Sequence, residues 1–485
     1  LLAVALALRV YQYDWDQGHL YHPDERFILM SSAAITLSWP PDLTTLSTPS
    51  SSLIPQDYSF SYGTLSLYLV RVVQAFLVQL NHLIPSLHFL DEVNDLGFLR
   101  TVGRPISALF DTGTVYLVYR LGRLLYGKRV AFLAAIFVTF SVIDLQLSHF
   151  YATDTIMTAL VIAAIASSAS YLQSGRIRWA VWAGVFAGLA LATKASAATV
   201  FAPVVIAHVL RLFLRDDAVG TLRIKDVSAS DVSRAATVGV FSVAAGALAF
   251  VVAEPFAIID FSRFITGVLE QSSMVRGIAD LPYTRQYFNR PAYLYFLQNL
   301  VVFGTGAPLG IAMIVGFLAM CFRNIRRPRV GELLLLSYVV PYFAITGDFW
   351  AKFLRYMLPI SPLLCLMAAL LLVQLVDVLR GWRHTASIGS PGESDIEAGT
   401  IRLPPELVIE SYGEQFDVTD LTVFDGEAVE VSSPLAASLV SFESQPVFTS
   451  AVAVGASDSE QALTPTSTRV EVGVANGKNG SADVF

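Results

Sequence analysis

A polytopic, all-helical membrane protein is the fold class that this sequence predicts, and three observations carry the prediction. Hydrophobic residues make up 54% of the 485 and charged residues only 15%, with a mean hydropathy of +0.58; soluble domains carry about a quarter charged residues. Apolar stretches recur at close to the roughly 20 residues that cross a bilayer as a helix. The loops between them alternate between basic and weakly charged.

Residues 1–10 are apolar but about half a span long, so the sequence is expected to lack its true start. The run 11–16 is aromatic and acidic, as at a membrane–water boundary, and Tyr21-His22-Pro23-Asp24-Glu25-Arg26 follows just outside it. Residues 27–36 are weakly amphipathic, 39–58 are loop-like, and 62–80 are apolar but interrupted by Arg71, Gln74 and Gln79. Spans are expected at 102–119, 130–147, 155–172, 179–193, 195–213, 235–253, 295–322, 332–345 and 356–379, about ten with the truncated first one. Basic connections fall at 120–129, 176–178, 211–234, 323–329 and 380–383, and the positive-inside rule makes these cytoplasmic. The His22–Glu25 stretch is then external only if 62–80 does not cross. That segment is therefore read as an interfacial helix within one external loop, 14–100.

Two domains are expected: a membrane domain over 1–384 and an acidic tail over 385–485, disordered or a small β module with candidate strands at 421–424 and 428–431. The tail holds 16 acidic and 3 basic residues, which leaves 23 acidic against 29 basic elsewhere. The net charge of −7 thus hides a mildly basic membrane part. Cys321 and Cys365, both in expected spans, exclude a disulfide framework and a cysteine-based metal site. No internal repeat of the kind that marks many transporters is evident.

Ionisable residues gather on the external side. Asp24 and Glu25 lie beside His22, and Asp154 opens an apolar helix after a very short turn, where capping the free N–H groups is its local alternative role. Arg104 sits in the apolar start of a span, and Lys194 ends an uncharged helix, where snorkelling is the competing reading. Asp348, Lys352 and Arg355 form a further cluster. An ion near membrane depth costs roughly 2.5 to 3.5 kcal/mol, so each needs a partner or a polar cavity. Acids beside cations suit one reaction: a hydroxyl attacking a sugar C1 needs a carboxylate to take its proton. A phosphate leaving group needs fixed cations, best arginine, and a polyprenyl tail needs a groove open to lipid.

The chain resembles the GT-C superfamily of membrane glycosyltransferases, in its protein O-mannosyltransferase-like group that uses phospholipid-carried sugars. The resemblance rests on His22-Pro23-Asp24-Glu25, on 102–110 with Gly103-Arg104-Pro105, on Tyr119-Arg120-Leu121-Gly122-Arg123 and on His149-Phe150-Tyr151-Ala152-Thr153-Asp154. Residues 188–194, ending Ala192-Thr193-Lys194, and 352–359, with Lys352-Phe353-Leu354-Arg355-Tyr356, complete it. It implies a GT-C-type multispan helical bundle, located in a prokaryotic cell membrane, that inverts the sugar configuration. Transfer would run from a polyprenyl-phosphate sugar, mannose or another hexose, to a hydroxyl of a protein Ser/Thr, a lipid or a glycan at the external face. Asp24 would be the base, supported by Glu25, with Asp154 as second acid. Arg355, with Lys194 or Arg104, would hold the donor phosphate. On the residues themselves, Lys352 is a further candidate for that phosphate, and His22, Gln271, Tyr283, Tyr287 and Tyr356 are candidate substrate contacts; the aromatic and amide side chains of the loop 254–291 are equally at home at a membrane interface. No cofactor is expected, although a divalent ion between Asp24 and Asp154 stays open. Membrane lipid is a partner and nucleic acid is not. A transporter or flippase of a lipid-linked sugar is the alternative class.

Overall fold

The computed structural model describes residues 1–35, 53–54, 58–84, 96–214 and 227–387, together with four short strands beyond them. The chain forms two compact units, Leu1–Gln374 and Leu375–Phe485. In the second, β1 (Val408–Ser411) pairs antiparallel with β2 (Glu414–Asp417), and β3 (Val474–Ala475) with β4 (Ala482–Asp483). The candidate strands at 421–424 and 428–431 lie outside the described residues.

The first unit is helical. It opens with α1 (Leu2–Val10), α2 (Pro23–Ala33), α3 (Leu65–Leu83) and the 31-residue α4 (Leu96–Tyr126), followed by α5 (Lys128–Phe140) and α6 (Val142–Ser148). Next come α7 (Thr153–Ser174), α8 (Ile177–Leu191), α9 (Phe201–Phe213) and α10 (Ala229–Ala253). The short α11 (Phe256–Ile259) leads to α12 (Phe261–Val275), α13 (Leu294–Asn299), α14 (Ala307–Arg326), α15 (Val330–Thr346) and α16 (Ser361–Ser387), the last of which runs on past Gln374.

Among the described residues, five helical segments are long and apolar enough to cross a membrane: α7, Ala195–Phe213, α10, α14 and Ser361–Arg380; α5 with α6 makes a sixth if counted as one bent span. This is fewer than the ten expected from hydropathy. The helices α8 and α15 have 15 and 17 residues, and the apolar part of α4 is diluted by Arg104, Asp111, Thr112 and Thr114. Residues 62–80, expected to lie along the interface, become α3, which packs on α2 and α4.

Two predicted spans are broken. The stretch 130–147 bends by 55° at Ser141 between α5 and α6. Fully buried Arg9 explains how the bend is tolerated: its guanidinium donates to the carbonyls of Val138 and Thr139, at 3.2 and 3.3 Å, and its Nε to Asp111 at 2.5 Å. Backbone carbonyls released in an apolar setting need such a donor. The stretch 295–322 is interrupted by a π turn, Leu300–Gly304, and Gly306 at φ +80°, with Thr305 returning hydrogen bonds to the Leu300 carbonyl.

At the centre α7 is buried nearly all round, as expected of a helix apolar on every face. Against it α8 presents a stripe of small residues to α10. A Cβ at Gly184 would come within 2.0 Å of the Ser242 carbonyl oxygen, and one at Gly188 within 2.1 Å of that of Gly246. Close backbone approach through small residues is how helices gain contact where lipid removes the hydrophobic drive.

Candidate active site

Pro23 occupies the first turn of α2, where its missing N–H costs nothing. His22 caps that turn: its Nδ1 accepts from the Glu25 N–H at 3.4 Å, and its ring stacks on Phe150 at 4.3 Å. Burial pushes the His22 imidazole below its usual range, against the pull of Asp24, and keeps it a neutral acceptor. Asp24 follows two residues after His22 and points at Arg355, 2.6 Å away. The contact is ionic without hydrogen-bond alignment, so Asp24 Oδ2 has no hydrogen-bond partner among the described residues.

The second acid lies at the start of α7. Ala152 is the cap position and no side chain caps this helix, so the capping role open to Asp154 is not the one it takes. Its Oδ1 accepts instead from Lys194 Nζ at 2.9 Å, and its Oδ2, fully buried, has no partner among the described residues. Lys194 does not snorkel outward. Its ammonium lies 5.1 Å from the centre of the Tyr356 ring and 5.6 Å from that of Tyr62, and such faces attract a cation.

Two backbone hydrogen bonds hold the end of α8 that carries Lys194. The Gly63 N–H donates to the Thr193 carbonyl at 2.9 Å and the Leu65 N–H to that of Ala192 at 3.2 Å. A Cβ on Gly63 would meet the Ala192 oxygen at 2.0 Å, so only glycine permits this approach. Glu254, just past α10, accepts from the Thr64 N–H, while the Thr64 hydroxyl donates to the Ala253 carbonyl at 2.8 Å. Burial lifts the Glu254 carboxyl to about 8.

Asp24, Asp154, Arg355, Lys194, Tyr62 and Tyr356 therefore share one electrostatic neighbourhood. The Arg355 guanidinium is held above its usual range: burial opposes the charge, but Asp24, Tyr62 and Asp154 outweigh it. Burial beside these charges also raises the Tyr62 and Tyr356 phenols, which stay protonated donors.

Three expected site residues take internal partners in the structure. Glu25, expected to support the base, is 0% exposed, with both oxygens on Arg104 at 2.7 and 2.8 Å and a further bond from the Tyr151 N–H. Arg104, expected to hold donor phosphate, is fully used by Glu25, by Asp16 at 2.7 and 3.0 Å and by the Tyr13 carbonyl. Lys352 turns its ammonium onto its own loop, to the carbonyls of Phe349 at 2.8 Å and Trp350 at 3.3 Å. Each is a buried charge satisfied internally, and a fixed structural role is what such saturation implies.

Tyr283 and Tyr287 lie on the 3-10 turn Pro282–Tyr287, where three residues per turn place them on different faces. Both nonetheless contact the Phe353 ring, at 6.4 and 5.4 Å between centroids, and Phe353 carries the Arg355 guanidinium at 4.6 Å. Gln271 lies half-buried on α12. Tyr62, Gly63 and Glu254 were missed. Glu254 carried a readable signal, an acid ending a helix otherwise free of charge in its last turns, as Lys194 ends α8; Tyr62 carried none.

Among the described residues no three His, Cys, Asp or Glu side chains form a metal-binding group. Asp24 and Asp154 each face a cation, Arg355 at 2.6 Å and Lys194 at 2.9 Å.

The fold and site define a class: a helical membrane protein with two buried acids, each beside a cation, at one end of its bundle. Residues 89–219 match the family described as dolichyl-phosphate-mannose-protein mannosyltransferase. That stretch, which takes in α4 to α9, is similar to the protein O-mannosyltransferase-like group of GT-C membrane glycosyltransferases. A comparison with curated proteins gives no match. Similar solved structures include the Archaeoglobus fulgidus oligosaccharyltransferase in the apo form, at 14% identity and TM-score 0.49, covering 79% of this chain and 51% of that one. AglB of the same organism, in complex with an inhibitory peptide and a dolichol-phosphate, has 16% identity and TM-score 0.44, covering 81% and 51%. ArnT from Cupriavidus metallidurans bound to undecaprenyl phosphate has 16% identity and TM-score 0.48, covering 76% and 58%. The present chain spans about half the length of these proteins.

Proposed function

We propose that the protein transfers a sugar, mannose or another hexose, from a polyprenyl-phosphate donor to a hydroxyl acceptor at the external membrane face, with inversion at C1. The observation that carries this reading is the pairing of Asp24 with Arg355 and of Asp154 with Lys194, each acid keeping one oxygen free of hydrogen bonds. The Asp24 carboxylate accepts the acceptor's proton as its oxygen attacks C1. The bond from C1 to the phosphate oxygen breaks, and polyprenyl phosphate leaves with the electron pair. Arg355 and Lys194 are the fixed cations beside which that charge develops. Asp154 orients Lys194 and offers its free oxygen to a sugar or acceptor hydroxyl, and the Tyr62 and Tyr356 hydroxyls are further donors.

The alternative of a lipid-linked-sugar transporter gains nothing from the broken helices. Such proteins place unwound backbone at the substrate, whereas the breaks here are sealed by Arg9 and Thr305. Asp24→Asn is the test, with radiolabelled polyprenyl-phosphate mannose as donor. Loss of a positioned base lowers transfer by roughly 10²- to 10⁴-fold, with donor binding and thermal stability near wild type. Full activity in that variant would falsify the assignment.

A further inference from the structure

A cavity of about 230 Å³ opens between α4, α7 and α8, at the end of the bundle away from the acids. Ser170 on its wall lies 16 residues beyond Asp154 along α7, a distance of about 24 Å at 1.5 Å per residue. Leu117, Ala163, Phe186 and Trp182 make its walls apolar, and Arg120 is the one charged residue lining it. The Arg120 guanidinium lies 5.9 Å from the centre of the Trp179 ring and 6.0 Å from that of Tyr116, with Trp182 and Tyr116 about half exposed beside it.

Among the described residues the adjoining helix ends are basic. Arg123, Arg176 and Arg178 are exposed on the adjoining helix ends. Among the described residues none of them, nor Arg120, has a carboxylate partner. An unpaired guanidinium over aromatic rings, above an apolar cleft between membrane helices, is matched by an anion that carries its own hydrocarbon. Whole-ligand pockets occupy about 300 to 1,000 Å³, so this one takes a headgroup and the chain segment next to it, the rest of the chain lying in the bilayer. Basic pockets between membrane helices recognise lipid phosphates in this way.

We infer that this cavity is a binding site for an anionic membrane phospholipid, with Arg120 on the phosphate and one acyl chain in the cleft between α4 and α8. The site is separate from the one assigned to the donor and does not depend on that assignment.

Native mass spectrometry of the full chain tests it, after release from nanodiscs of equal phosphatidylglycerol and phosphatidylcholine. The wild type retains phosphatidylglycerol in preference. Arg120→Gln lowers that preference about fivefold, as expected for one surface cation and an anionic headgroup. Ala166→Phe, which fills the cavity and spares Arg120, lowers retention of the lipid. Arg327→Gln, in the basic connection between α14 and α15, leaves it unchanged. Equal retention of the two lipids by the wild type, an unaltered preference in both Arg120→Gln and Ala166→Phe, or a loss as large in Arg327→Gln each overturns the inference. Glycerol phosphate bound as well as the intact lipid does so too, because the cleft would then contribute nothing.

Discussion

At residue scale, Asp24 and Glu25 are chain neighbours with the same functional group, and their surroundings assign them opposite work. Glu25 is saturated by Arg104 and the Tyr151 N–H, so it ties the start of α2 to α4. Asp24 is held by one unaligned ion contact and keeps acceptor capacity. Glu25→Gln should therefore act on stability first, costing about 2 to 3 kcal/mol for weakened charge-assisted bonds. Thermal unfolding should show the drop; a variant as stable as wild type but inactive would return Glu25 to the chemistry.

Glu254 gives a pH signature at the same scale. Its folded value of about 8 exceeds the ordinary 4.5, so the folded state binds the proton more tightly. That contribution to stability is complete below about 4.5 and is lost as pH rises through about 8. His22 works in the opposite sense: its value is lowered from 6.5 by burial, so stability falls as pH drops below 6.5 towards the lowered value. Glu254→Gln, which keeps the acceptor for Thr64, should remove the alkaline component. Melting temperatures of the two proteins between pH 5 and 9 should diverge in slope, and parallel curves would refute this account.

At the scale of elements, α1 is a short helix whose single charge, Arg9, serves others. It seals the carbonyls at the end of α5 and neutralises Asp111 on α4. Arg9→Met preserves length and apolarity but leaves Asp111 buried and unpaired, at a cost of about 3 to 5 kcal/mol. A fall in the unfolding temperature, with activity of the surviving folded fraction intact, is the expected result. Arg9→Met combined with Asp111→Leu should recover part of the loss, since removing both charges leaves none uncompensated. No recovery in the double variant would assign the effect to the open α5 carbonyls alone.

For the whole molecule, the basic connections at 120–129 and 176–178 lie at the end of the bundle opposite the acids, as the charge alternation in the loops requires. With Cys321 and Cys365 replaced by serine, Asp280→Cys should react with a membrane-impermeant maleimide on intact cells. Lys128→Cys should react only after permeabilisation. The reverse pattern would invert the proposed orientation and move the reaction to the other side of the membrane.

The sequence by itself determined the helical membrane class, the positions of the apolar segments and the short roster of ions worth asking about, Asp24, Asp154, Lys194 and Arg355 among them. These were legible because partition into lipid is close to additive over neighbouring residues, and an ion in an apolar stretch stands out against that background. Tertiary structure decided which ion meets which. Arg104 went to Asp16 and Glu25, and Arg355 to Asp24, from 331 positions away in the chain. It also decided where 130–147 and 295–322 break: the first bend survives because Arg9 arrives from another helix, and the second is closed locally by Thr305. Pairing over such separations is set by packing geometry rather than by local composition, and this is why Tyr62 and Gly63, unremarked in sequence, frame the lysine that faces the second acid.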